Sequence, residues 1–198
     1  MAFATVQELA NYLQATIPNS AAHVALDMAE GRIVAATGQM FTYTEDDTIT
    51  LSGSWGEVLE LPQWPVHSVS LVETTHWGET VSTGQVAGTN YMLQGNRLHW
   101  MGGYARIGGS PALPYIGAGW PRTVRITYTH GYQTIPRDVW GCTLMLAAES
   151  YSSPDGVHYE SIDDYAWRRG DADATPGQLA LKGLVRRYGM RSAMVRLS

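Results

Sequence analysis

The chain has 198 residues, 44% hydrophobic and 16% charged, which is enough for one sizeable core and too apolar for a disordered chain. Globular chains run about 25% charged, so this surface is poor in charge, and seven Trp and eleven Tyr suit faces that meet something other than water. The net charge of -5 is uneven: residues 1–173 hold all 18 acidic groups and 8 of the 13 basic ones, net -10, whereas residues 174–198 hold Lys182, Arg186, Arg187, Arg191 and Arg196 and no acid, net +5. An acidic body is a poor wrapper of DNA, and the basic tail suits nucleic acid, anionic lipid or an acidic protein surface, among which charge alone does not choose.

Thr5-Val6-Gln7-Glu8 has capping-box spacing and predicts a short helix through about Gln14, stopped by Pro18. A second helix is predicted from Asn19 or Ser20 to Thr37, with Leu26, Ala29, Ile33 and Ala36 on one face, His23, Asp27 and Glu30 on another, and Gly38 as its C-cap. From about Tyr43 the period changes to two. Ile49 and Leu51 alternate with Thr48, Thr50 and Ser52, and Val58–Leu61, Val66–Glu73, Tyr91–Gln94 and Arg97–Trp100 read as short strands, the last two joined by a Gly95-Asn96 hairpin turn. Thr123–Thr129 is the cleanest strand, with Val124, Ile126 and Tyr128 on a core face and Thr123, Arg125, Thr127 and Thr129 on a wet or bound one.

Residues 102–121 carry six glycines and three prolines, a structureless length beyond the roughly 12–15 residues usual inside a compact domain, and are read as a projecting loop with Tyr104, Arg106, Tyr115 and Trp120 on it. Pro136 opens a third helix through about Ser152. Val139–Ala148 has no charge on any face, so it is either the central core helix or one covered by a neighbouring subunit. Val139, Trp140, Leu144, Met145, Ala148 and Tyr151 are its candidate core and subunit-interface residues. Pro154-Asp155-Gly156 predicts a turn, Ser161–Trp167 a short strand, and Pro176 a last helix through about Tyr188. Helices, strands, then helices argue for an α+β fold: a small helical core, an inserted antiparallel β region and a C-terminal helix and tail. The boundaries are one α+β domain over 1–173, with the β insertion at about 43–130, and a basic helix and tail over 174–198.

A lone Cys142 excludes an internal disulfide framework and a Cys-rich zinc site, and in its apolar helix reads as a small core residue. The longest near-apolar run, Val139–Ala148, is half the roughly 20 residues of a membrane span, and the N-terminus lacks a basic stretch followed by an apolar run, so a soluble, non-secreted chain without a membrane partner is expected. The six histidines, His23, His67, His76, His99, His130 and His158, form no His-x-x-x-His pair and read as satisfied or surface residues, not metal ligands. No Gly-x-Ser-x-Gly elbow, Walker A loop or dinucleotide fingerprint occurs. Glu45-Asp46-Asp47 and Asp163-Asp164 lack EF-hand periodicity and read as solvated turns. No catalytic residue, metal site or cofactor is expected, and the chain is not read as an enzyme. Trp55, Trp64, Trp77, Trp100 and Trp120 in the β region admit one rival, a Trp-rich carbohydrate-binding module, against a core and subunit-contact role.

Several segments in order resemble the head-tail connector family of tailed bacteriophages, the head-to-tail adaptors. They are Ala36-Thr37-Gly38, Asp47-Thr48-Ile49-Thr50-Leu51-Ser52-Gly53, Leu59-Glu60-Leu61-Pro62, Pro65-Val66-His67-Ser68-Val69, Gly119-Trp120-Pro121-Arg122 and Tyr128-Thr129-His130-Gly131-Tyr132. The run continues through Ile135-Pro136-Arg137-Asp138-Val139, Pro154-Asp155-Gly156-Val157 and Glu160-Ser161-Ile162-Asp163-Asp164-Tyr165. The resemblance implies a structural virion protein: a ring of twelve copies under the portal that extends the DNA channel and offers a docking platform to a stopper or tail-completion protein. It implies the host cytoplasm as the place of assembly and genomic DNA passing the lumen without sequence-specific binding, which an acidic body suits because like charge keeps DNA from sticking. A stopper or tail-terminator role is the sibling alternative. The C-terminal segment, with Lys182, Arg186, Arg187, Tyr188, Arg191 and Arg196, is the expected portal contact.

Overall fold

The computed structural model describes residues 2–53, 56–75, 83–101, 119–121, 123–152, 159–162, 165–168 and 175–189. Residues 102–118 of the predicted loop at 102–121, the turn at 154–156 and the Asp163-Asp164 step lie outside the described residues. The chain divides into two compact units: a helical one from residues 1–42 and 133–190, and a β one built on residues 43–132. Among the described residues there are four helices, two small antiparallel sheets and a two-stranded hairpin. This is the expected α+β class.

In the helical unit, α1 (Val6–Leu13) opens with the predicted capping box: the Glu8 amide donates to Thr5 Oγ1 at 3.2 Å and the Thr5 amide to Glu8 Oε2 at 2.7 Å. Those bonds satisfy two amides that a helix start leaves unpaired. The backbone hydrogen bond from Thr5, the largest cause, holds the Glu8 carboxyl below its ordinary range, with the Thr5 hydroxyl and the Trp140 side chain adding to it. α2 (Asn19–Thr37) ends at Gly38, whose φ of +69° closes the helix in the left-handed region that favours glycine. Its buried face is Ala22, Ala25, Leu26, Ala29, Ile33 and Thr37. Ala36, expected on that face, is exposed; Thr37 takes the inner position because its hydroxyl bonds back to the Ile33 carbonyl at 2.7 Å and so enters the core without an unpaired polar group.

α3 (Arg137–Ser152) is the centre of this unit. α1, α2 and α4 (Pro176–Tyr188) all pack on it, and Val139, Cys142, Thr143, Leu144, Leu146, Ala147 and Ala148 are buried. The all-round apolar pattern is thus met largely within the chain itself. Cys142 is the core residue expected: burial, followed by the nearby Glu149 and Asp138 charges, pushes its thiol up to about 11. In place of one strand at Ser161–Trp167, this unit has a hairpin, β8 (Tyr159–Ile162) paired antiparallel with β9 (Tyr165–Arg168).

In the β unit, β1 (Thr44–Leu51), β7 (Thr123–His130), β3 (Val66–Thr75) and β4 (Thr83–Gly84) form one antiparallel sheet in that order. β2 (Val58–Glu60), β6 (Arg97–Trp100) and β5 (Tyr91–Gln94) form the other. Gly95, at φ +63°, makes the predicted two-residue turn between β5 and β6. β7 shows its predicted alternation as far as Tyr128: Val124, Ile126 and Tyr128 are fully buried, while Arg125 reaches Glu73 at 3.4 Å and Thr127 bonds Thr48 at 2.9 Å on the other face. Thr129, expected on that wet face, is instead buried, its hydroxyl accepting from the Asp46 amide at 3.4 Å. The core joins these residues to Leu51, Leu59, Leu61, Val72, Leu98 and Trp120.

Candidate docking surfaces

α4 carries Lys182, Arg186 and Arg187 of the basic residues expected at the portal, and two carboxylates of α3 fix it. At its start, Glu149 accepts from the Thr175 hydroxyl and the Gly177 amide, both at 2.8 Å. A Cβ on Gly177 would sit 2.8 Å from Glu149 Oε2 and 2.9 Å from a Leu146 methyl, so any larger residue would push both side chains aside. At its end, Asp138 pairs with Arg187 at 2.9 Å and accepts from the Tyr188 hydroxyl, whose oxygen lies 3.0 and 3.1 Å from its two oxygens. The anchors lie at opposite ends of α3 in reverse order, so the two helices run antiparallel.

This arrangement divides the expected portal residues. Lys182 and Arg186 are exposed one turn apart on the outer face, with Gly183 beside them and Leu179 also exposed. Arg187 is committed to Asp138 and lies over the Tyr188 ring. Tyr188 is not a surface residue: it is buried, with its ring edge-on to Phe41 at 5.1 Å. A period of 3.6 places it with Gly177 and Leu184 on the inner face. Arg191 and Arg196 lie outside the described residues. α4, assigned by charge to a separate segment from 174, packs as the fourth helix of the unit.

The α3 candidates divide similarly. Val139, Leu144 and Ala148 are buried, Met145 and Tyr151 are half-buried, and Trp140 is 37% exposed. Trp140 lies beside the Glu8 carboxylate, and Tyr12, half exposed, stands one turn further along α1 from Glu8. Sequence reasoning missed a further surface. Ala21, Val24, Met28, Gly31 and Ala35 of α2 are all exposed, Val24 at 60% and Met28 at 46%. Their 3-4-3-4 spacing is the signal that finds them, a second apolar stripe nearly opposite the buried face.

Of the projecting-loop residues, Tyr104, Arg106 and Tyr115 lie outside the described residues, and Trp120 corrects the expectation. It is fully buried in the β unit, donates its ring N–H to the Leu98 carbonyl at 2.9 Å, and meets Trp100 edge-on at 5.0 Å. Gly53 lets the chain pass there, because a Cβ would run into the Pro121 and Trp120 carbonyls. The Trp100–Trp120 pair therefore serves the core rather than a flat sugar platform. Trp55 and Trp77 lie outside the described residues.

Glu45-Asp46-Asp47 is not a turn but the start of β1, with a bulge at Asp46, φ +49°. Asp46 accepts from the Ser70 hydroxyl at 3.0 Å, and Asp47 lies 3.1 Å from Nε2 of the buried His130. His67 Nε2 is 2.7 Å from the Gly131 carbonyl. His76 and His158 lie outside the described residues. Among the described residues no three His, Cys, Asp or Glu side chains cluster as metal ligands, and no helix is long and apolar enough to cross a membrane.

No protein-family model and no curated protein matches the sequence. Solved structures do. A chain in the neck of an empty gene transfer agent particle, computed with C6 symmetry, aligns over 97% of this chain and 92% of its own at 21% identity and a TM-score of 0.58. The fold is one that neck chains of gene transfer agent particles share. A chain in the neck of the native particle, computed with C12 symmetry, aligns over 98% of this chain and 90% of its own at 20% identity and a TM-score of 0.55. A chain from the virion of the native particle gives 20% identity, the same coverages of 98% and 90%, and a TM-score of 0.56. The likeness takes in both units and agrees with the resemblance to head-tail connectors.

Proposed function

We propose that the chain is a structural virion protein, a head-to-tail adaptor whose copies form a ring beneath the portal of a phage-like particle. The observation that carries this reading is the near-complete alignment with neck chains of gene transfer agent particles, in assemblies computed with C6 and C12 symmetry. In this reading the ring has twelve copies, extends the DNA channel and receives a stopper or tail-completion protein. It sits in the virion and is assembled in the host cytoplasm.

The physical features agree. Apolar side chains exposed on α1, α2, α3 and α4 suit a subunit that meets several neighbours. The acidic body suits a conduit that DNA must pass without adhering. The portal contact belongs to the outer face of α4, where Lys182 and Arg186 carry charge free of the Asp138 pairing, together with residues 190–198.

The test is binding of the full-length protein to isolated portal rings. Lys182→Glu with Arg186→Glu, and separately deletion of residues 190–198, should each weaken binding at least tenfold while leaving the circular dichroism unchanged. Undiminished binding by both variants would contradict the portal assignment. Deleting α4 itself would be uninformative, since Leu184 and Tyr188 are core residues.

A further inference from the structure

The outer stripe of α2 and the Trp140 patch are two unpartnered apolar surfaces on one helical unit, and they differ in shape. The stripe is shallow, built of Ala21, Val24, Met28, Gly31 and Ala35, and a Cβ on Gly31 would meet nothing within 4 Å. The patch is bulky, built of Trp140 and Tyr12. Small residues let a neighbouring element approach closely, and Trp and Tyr are the side chains that anchor protein interfaces. Their charged rims also match. Asp27 and Arg32 flank the stripe on opposite sides of α2, while Glu8 and Arg137 stand beside Trp140. Each surface thus presents one acid and one base, so the two can meet with both charges opposed.

We propose that the α2 stripe of one copy receives the Trp140–Tyr12 patch of the next copy, making the subunit contact of the ring. This rests on the ring reading above and assigns its two faces. Because the stripe and the patch are different surfaces of the same chain, the contact is head-to-tail, the kind that repeats around a closed ring, rather than a two-fold pairing of like faces. Met28 and Val24 would cover the Trp140 ring, and Arg32 and Asp27 would face Glu8 and Arg137 of the neighbour.

Disulfide trapping in the full-length protein tests this, because Cys142, the chain's single cysteine, is buried and gives no background. The double variant Met28→Cys with Tyr12→Cys should, on mild oxidation, give a ladder of covalent oligomers ending in the ring, whereas either single variant should stay monomeric under denaturing conditions. Asp27→Arg should raise the concentration needed for assembly by about two- to fivefold, the scale of an exposed ion pair, and Arg137→Asp in the same chain should restore it. Rings seen by electron microscopy without cross-links in the double variant would overturn this interface and leave the ring reading standing. A covalent dimer from Met28→Cys alone would show a two-fold contact and overturn it too. Absence of rings in the unsubstituted protein would contradict the ring reading itself.

Discussion

α2 and α3 are the two long helices of one unit, and both carry apolar residues on more than one side, but the chain treats them differently. α3 is enclosed: α1, α2 and α4 surround it, and its one exposed large apolar side chain, Trp140, stands beside Glu8. α2 buries one face and leaves a second, four turns long, in contact with solvent. An all-round apolar helix in the middle of the fold is covered by its own chain everywhere but at Trp140. A helix with two separate stripes has one more face than its own unit covers, and the surplus is where a neighbour is expected.

The difference can be broken or sharpened by mutation, starting with the largest effect. Leu146→Ala on α3 removes a fully buried side chain and should cost about 2 to 5 kcal/mol in chemical denaturation. Gly177→Ala forces a methyl group against Glu149 and Leu146 and should cost about 1 to 3 kcal/mol. Thr5→Ala opens the capping box and should cost about 1 kcal/mol. Met28→Ser on the outer face of α2 should change the stability of the monomer by no more than about 0.5 kcal/mol while reducing assembly in sedimentation velocity. If Met28→Ser destabilised the monomer as strongly as Leu146→Ala, the proposed distinction between the faces would fail.

Cys142 gives the comparison a pH axis. The folded chain holds its thiol protonated up to about 11, against an ordinary value of 9.0, so the unfolded chain ionises first. Stability should therefore fall as pH rises from 9.0 toward 11, and Cys142→Ala should flatten that part of the profile. A slope unchanged by Cys142→Ala would place the alkaline loss elsewhere.

Most of the fold was legible because local signals coincide with tertiary packing. The Thr5–Glu8 box, Gly38 and Gly95 each mark a boundary that the backbone uses, and β7 alternates as its sequence does as far as Tyr128. β4 has only two residues, Thr83 and Gly84, too few to establish a period. Trp120 was misread because glycine and proline surround it, and local composition does not show that Leu98, far away in sequence, supplies its hydrogen-bond acceptor. The site was half legible. Charge identified α4, but only the helical period separates outward Lys182 and Arg186 from inward Tyr188. The second stripe of α2 was written in the sequence as well, yet its residues are small and individually unremarkable, so one apolar face hid the other.

The most direct test of the ring reading is electron microscopy of the purified full-length protein, alone and mixed with portal rings of its particle. The account predicts closed rings that dock coaxially on the portal. A protein that stays monomeric at every concentration and never associates with the portal would contradict it.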